Sequence, residues 1–446
     1  DPFSPELYCG LSNAYYEYDL LEKAMNLLRK GIELYPEYIN LYFAFSRILE
    51  KENDLEEAKK YIHLGLDISP GNLELNILLA KLDGRSGKIQ EAIDRLEQYV
   101  DFKSTYDRET FLLSMIHFEL GKLYDHTGCS DLAIMHCSMG NNIQLASQED
   151  APVRKYRFLN YIYKMSLVLS DGYSKPPFSV VTGSSSTDTH CHDPVFLVGF
   201  PRSGTTLLAQ ILDSHPKIQV LHEKPVLQSV MNEISIDMVY RPDAILALNI
   251  EKIHDLRNTY FEEVNKYLSL NQDSVLIDKN PFNLANAGII HRIFPNAKFI
   301  FAMRHPYDAC QSCFMQHFGM NDALSSFYTL EDSAILYTKL MTLWEQLRTA
   351  LKLQVFESRY ERLVNNLEES LKPLLSFMDL EWNNSVANYR EYAKTQKGKI
   401  HTPSYSQIVQ PLYKDATYRW KRYKKHLEPV IPLLAPHAQR LGYPTD

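Results

Sequence analysis

The sequence predicts a two-part chain. Residues 1–170 read as an all-α array of helical hairpins, residues 195–446 as an α/β domain with a mostly parallel sheet, and residues 171–194 as a linker or surface crossing. Three observations predict this: small residues recur every 34 positions in the first part, composition turns to Ser, Thr, Gly and Pro in the stretch "DGYSKPPFSVVTGSSSTDTHCHDP", and short apolar runs then alternate with helical segments. At 446 residues, 45% hydrophobic and 23% charged, the chain is long enough for several packed cores.

In the first part Ala24, Ala58 and Ala92 stand 34 residues apart, as do Pro36 and Pro70. Ser12, Ser46 and Ala80 each precede one of those alanines by 12 residues. Small side chains at this spacing let two antiparallel helices approach closely, and each proline ends a helix. This is the pattern of tetratricopeptide repeats, with "LEKAMNLLRKGIELYPEY", "LEEAKKYIHLGLDISPGN" and "IQEAIDRLEQYVDFKS" as successive second helices. Gly121 and Ala133 repeat the 12-residue relation, which predicts a fourth unit after an insertion around "DFKSTYDRE". The pattern leaves open whether these repeats bind an acceptor protein, form a homodimer or brace the second domain.

Charge divides the chain as well. Residues 1–150 hold 14 Lys/Arg against 26 Asp/Glu, a balance of −12, so the rest carries +4 of the overall −8. The acidic half opposes general nucleic-acid affinity, and the mildly basic half suits an anionic small ligand. No run of 18 uncharged apolar residues occurs and "DPFSPELY" has no signal core, so the expectation is a chain with no membrane span, placed in the cytoplasm. The six cysteines form no ligand pattern; Cys310 and Cys313 fit one helical face and are read as packing. His291, His305 and His317 are read as packing or surface groups, and no metal is required.

In the second part "VFLVGF", "SVLI" and "KFIFAM" are the strand-like runs. "VFLVGFPRSGTTLLAQILDSHP" reads as strand, Gly-rich loop and helix, the construction that offers an anion the free amides of a helix start. Arg202 supplies a fixed cationic fork, and Ser203, Thr205 and Thr206 supply hydroxyls. Against G-x-x-x-x-G-K-[ST], Thr205 stands where the lysine would be, which argues against an ordinary ATPase or kinase even with Asp278 available as a metal-binding carboxylate. An arginine at the end of a strand, Arg304, and a hydroxyl on the next helix, Ser312, suit a second phosphate.

These stretches together resemble a known family. "FPRSGTTLLAQILDSHP" is similar to the 5'-phosphosulfate loop of sulfotransferases that use 3'-phosphoadenosine 5'-phosphosulfate, and "QVLHEKP" resembles the tyrosylprotein sulfotransferase pattern in which a glutamate after the loop is the catalytic base. The whole chain resembles a bacterial-type, tetratricopeptide-containing member of the tyrosylprotein sulfotransferase-like group, with catalytic likeness over about residues 190–430. The resemblance implies a P-loop-like sulfotransferase domain, Glu223 as base with His222 as competitor, and Lys279 in "LIDKNP" stabilising the sulfuryl and leaving groups. It implies Arg202 and Thr206 on the 5'-phosphate, backbone contacts from Gly204 and Thr205, and Arg304 and Ser312 on the 3'-phosphate. Tyr360 in "ESRYERL" and Ser404, Gln407 and Arg419 in the distal segment resemble further donor-side residues, and adenosine 3',5'-bisphosphate would be the product. Lys421, Arg422, Lys424 and Lys425 read as a solvated helix face.

Two departures bear on the acceptor. "KPVLQSV" after Glu223 offers Lys224 but not the basic arrangement that grips acidic residues beside a tyrosine, and Gln316 stands where a further positive group would help. Protein or peptide tyrosine, saccharide and small-metabolite hydroxyls therefore all remain as acceptors, with a degenerate non-catalytic repeat scaffold as the non-enzymatic alternative.

Overall fold

A computed structural model describes residues 4–18, 20–102, 106–170, 193–234, 248–271, 273–395 and 417–446. Contacts divide the chain into two compact units, one built on residues up to Glu149 with Met315–Phe318, the other on Asp150–Phe314, Gly319–Lys394 and the C-terminal residues.

The first unit is a succession of antiparallel helix pairs: α1 (Pro5–Glu17), α2 (Leu21–Leu34), α3 (Ile39–Lys51), α4 (Leu55–Ile68), α5 (Leu73–Arg85), α6 (Ile89–Glu97), α7 (Asp107–His126) and α8 (Ser130–Ala146). Asp54 and Asn72 cap α4 and α5 by accepting the amides of Glu57 and Leu75. The 34-residue register is a packing register, since Ala24, Ala58 and Ala92 are fully buried and so are Ser12, Ser46 and Ala80 on the first helix of each pair. Successive pairs lock through Leu41 and Leu75: a Cβ added at Gly31 would lie 2.9 Å from the Leu41 side chain, and one at Gly65 2.6 Å from Leu75. Leu7, one period earlier, is 53% exposed. The predicted fourth unit is present as α7 and α8, with Gly121 against Ala133 and Cys137. In this unit His317 stands edge-on to Phe111 and Phe118, a packing role.

The second unit begins with α9 (Ala151–Ser170), which the sequence division at 170 had grouped with the repeats. Lys155 pairs with Asp332, and the Tyr161 hydroxyl donates to Asn286 at 2.6 Å. The sheet contains β1 (Val195–Gly199), β2 (Ile218–His222), β3 (Val275–Lys279), β4 (Lys298–Met303) and β5 (Gln354–Arg359) in the order β2-β3-β1-β4-β5, with every pair parallel. Central β1 is buried throughout, as an apolar run covered on both faces should be. On one face Leu197, Ile277 and Ile300 pack with Leu208 and Leu212 of α10 (Thr205–Asp213); on the other Phe196 meets Tyr260, Phe294 and Phe299. Cys310 and Cys313 are fully buried on α11 (Pro306–Phe314), which bears out packing as their role. Because all five strands run one way, the residues that follow their carboxyl ends gather along one edge of the sheet. No helix among the described residues is long and apolar enough to cross a membrane.

Candidate active site

Between β1 and α10 the chain turns through Phe200-Pro201-Arg202-Ser203-Gly204. Gly199 is required by its neighbour strand, because a Cβ there would stand 2.3 Å from the Ala302 carbonyl oxygen. Gly204 caps α10 in the left-handed conformation, φ +89°, and a Cβ there would lie 2.6 Å from the Tyr360 ring. Arg202 is itself left-handed at φ +65°. Of the six non-glycine residues with positive φ among the described residues, Arg202, Glu223 and Tyr418 all belong to this edge of the sheet. Each such conformation costs about 1–2 kcal/mol, so the backbone is held here against its preference.

One side of the edge is cationic. Arg202 Nε donates to Ser312 Oγ at 3.1 Å, and Arg304, directly after β4, donates from Nη1 to the Arg202 carbonyl at 3.0 Å. The Arg304 guanidinium also lies 5.1 Å from the centre of the Tyr360 ring, the same ring that abuts Gly204. Burial lowers the Arg202 pKa, the neighbouring charges of Arg304 and Arg419 lower it further, and Cys313 opposes them. Arg202 therefore lies within electrostatic reach of two further guanidinium groups beside a helix start, a setting suited to a polyanion. Ser312 turns toward Arg202, so the predicted Arg304/Ser312 pair is joined through the loop arginine rather than directly.

The other side holds a carboxylate and an ammonium. The register of β2 on β3 sets His222 opposite Lys279, and the Glu223 amide donates to the Lys279 carbonyl at 2.9 Å. Lys279 is fully buried, its ammonium pairs with Glu223 Oε1, and the same nitrogen reaches Thr206 Oγ1 of α10 at 3.4 Å. The Glu223 side chain keeps 43% exposure and so faces outward from an enclosed partner. Burial lowers the lysine pKa while Glu223 pulls it back up. His222 has its pKa pushed down to about 3, first by burial and then by the positive charges of Lys279 and Lys224, and its Nε2 lies 3.4 Å from the Gln210 amide nitrogen. Asp278 points to the opposite face of β3, where it accepts the Tyr260 hydroxyl at 2.9 Å and burial pushes its pKa up to about 7. It is a core carboxylate rather than a metal ligand facing the loop.

The sulfotransferase family model matches residues 194–384 and a tetratricopeptide repeat model matches residues 39–72. An uncharacterized protein of Aquifex aeolicus is 27% identical over 99% of this chain, which spans 56% of that protein. Protein-tyrosine sulfotransferase A of Caenorhabditis elegans is 23% identical over 61% of this chain and 73% of its own length, and the Drosophila melanogaster protein-tyrosine sulfotransferase 25% identical over 51% and 46%. The second part of the chain is a sulfotransferase-fold domain, distantly related to the tyrosylprotein sulfotransferases. A tetratricopeptide-like helical region precedes it. Among solved structures the sulfotransferase domain of the Synechococcus PCC 7002 olefin synthase aligns at a TM-score of 0.37, with 20% identity, over 53% of this chain and 90% of that one.

The sulfotransferase-fold domain thus brings Arg202, Ser312, Arg304, Tyr360 and Arg419 to one side of the loop and Thr206, Lys279 and Glu223 to the other. Ser203 and Thr205 are buried within the turn. Ser404 and Gln407 lie outside the described residues. Sequence reasoning missed two buried polar residues at the strand ends, Asp308 and Glu361, beside His305, which it read as a packing or surface group. The signal was present in "RHPYDA", where a histidine and an aspartate flank the turn directly after Arg304.

Proposed function

We infer that the chain transfers the sulfuryl group of 3'-phosphoadenosine 5'-phosphosulfate to an acceptor hydroxyl, with Glu223 as general base. The observation that carries this reading is the Glu223–Lys279–Thr206 chain of contacts beside a loop whose other side is lined by Arg202 and Arg304. Arg202, the amides of the α10 start and Thr206 hold the 5'-phosphate, while Arg304, Ser312 and Arg419 serve the 3'-phosphate. In the transfer the acceptor oxygen bonds to sulfur as the bond from sulfur to the bridging phosphate oxygen breaks. The acceptor proton passes to Glu223, and adenosine 3',5'-bisphosphate departs with the bonding electrons.

Lys279 supplies positive charge where negative charge develops on the bridging oxygen, and its enclosure makes that charge count for more than it would in water. Until a donor arrives, the same ammonium is paired with Glu223. His222 is the weaker candidate base: a ring whose pKa lies near 3 is a poor proton acceptor at neutral pH, and it is less exposed than the Glu223 carboxylate. Protein or peptide tyrosine is the favoured acceptor by relation to the protein-tyrosine sulfotransferases. The single basic residue after Glu223, Lys224, sets its ammonium 5.2 Å from the Tyr267 ring, which offers less grip on acidic flanking residues than a basic cluster would.

The test is an acceptor screen with labelled donor across tyrosine peptides, saccharides and phenols, followed by Glu223→Gln on whichever acceptor is modified. The variant should retain adenosine 3',5'-bisphosphate binding and lose roughly 10²- to 10⁴-fold in turnover. Wild-type turnover in Glu223→Gln would remove Glu223 as the base.

A further inference from the structure

Three buried polar side chains at the strand ends are hydrogen-bonded around the C-terminal segment, residues 417–446, and two of them, His305 and Asp308, also feel the charge of Arg304. Asp308, on the first turn of α11 and 1% exposed, accepts the backbone amide of Trp420 on Oδ1 at 2.7 Å. Glu361, 5% exposed, accepts the His305 amide on Oε1 and the Tyr443 hydroxyl on Oε2, both at 2.9 Å. His305 is fully buried; its Nδ1 accepts the Tyr307 amide at 3.2 Å, so the proton sits on Nε2 and is donated to the Pro444 carbonyl at 2.7 Å. The Trp420 ring is fully buried against His305 and Tyr307, at centroid distances of 5.1 and 4.9 Å. A core that needed only stability would place apolar groups here, since burying a carboxylate is costly unless its hydrogen bonds are made.

The residue those contacts bracket is Arg419. Tyr418 before it is left-handed at φ +53°, and Trp420 after it has both its amide and its ring fixed. We propose that Asp308 and Glu361 are positioning residues for donor binding, clipping the C-terminal segment to the ends of β4 and β5 so that Arg419 stands beside Arg202 and Arg304. The clip and the anion site share one turn, because Arg304 serves the loop while His305, the next residue, serves the tail. This rests on the donor reading above and adds to it the pair of carboxylates that set the third arginine in place.

The experiment is calorimetric titration of the full chain with adenosine 3',5'-bisphosphate, with thermal denaturation run beside it to confirm folding. Asp308→Ala should weaken binding roughly ten- to a hundredfold, the size of a lost hydrogen bond to a charged group. Asp308→Asn keeps an oxygen for the Trp420 amide and should restore most of the affinity. In an Arg419→Gln background Asp308→Ala should have no further effect, which a merely structural role would not produce. Should Asp308→Ala fail to fold, Glu361→Ala with Glu361→Gln as its rescue makes the same comparison from the other end of the clip. Undiminished binding in both alanine variants, or an additive cycle with Arg419→Gln, would overturn the clip while leaving the donor reading intact. Absence of binding by the wild-type chain would overturn the donor reading itself, and the clip with it.

Discussion

Gly204, Tyr360 and Arg304 form a stack in which the loop, an aromatic ring and the strand-end arginine depend on one another, and Gly204→Ala should expose that dependence. An alanine at φ +89° costs about 1–2 kcal/mol from conformation alone. Its Cβ would also enter within 2.6 Å of Tyr360 Cδ2, and with Arg304 5.1 Å from the ring centre the ring has a neighbour that must shift with it, which adds about 1–3 kcal/mol of overpacking. Urea denaturation should therefore give a destabilisation of about 2–5 kcal/mol, accompanied by weaker adenosine 3',5'-bisphosphate binding as Arg304 is displaced. Tyr360→Leu removes the obstructing ring, so in the double variant the overpacking part should disappear and only the conformational part remain. The cycle should show a favourable coupling of about 1–3 kcal/mol. Additivity within about 0.5 kcal/mol would mean that the ring yields freely and that the loop and Arg304 are not mechanically joined.

The helical region contains its own control. Leu41→Ala should cost about 2–5 kcal/mol and Leu7→Ala under about 1 kcal/mol in denaturant titrations, because the first is fully buried against the preceding helix pair and the second is 53% exposed. In the second domain burial pushes the Asp278 pKa from its ordinary 3.8 up to about 7, so the folded state binds the extra proton between those values and stability falls as pH rises through that window. Asp278→Asn should therefore be more stable than wild type at pH 8, with the gain shrinking toward pH 4; a pH-independent difference would show that the carboxylate does not titrate there. His222→Gln should leave the acid limb of the pH–rate profile in place, since the ring stays neutral above about pH 3. Movement of that limb would return His222 to consideration as the base.

What the sequence could and could not say follows from how each feature is encoded. The helix pairs were legible because Ala24, Ala58 and Ala92 repeat along the chain the packing that they repeat in space. The anion loop was legible for the same reason, since strand, turn and helix start are contiguous from Val195 to Asp213. Strands β1, β3 and β4 announced themselves as apolar runs. By contrast β2, "IQVLH", and β5, "QVFESR", carry polar side chains on partly exposed faces and gave no run to read. The unread β2 matters most, because its register beside β3 sets His222 opposite Lys279 and so places Glu223 against an ammonium 56 positions away. Sequence identified both residues through resemblance but had no means of pairing them. The same limit hid the clip: Asp308 could be read as a helix-start acid, and only the path of the C-terminal segment turns it into the acceptor of the Trp420 amide. Residues whose roles depend on their neighbours in the chain can be read from the chain. Those whose roles depend on strand order must wait for the sheet, and the proposed base, its lysine partner and the proposed clip all belong to this second kind.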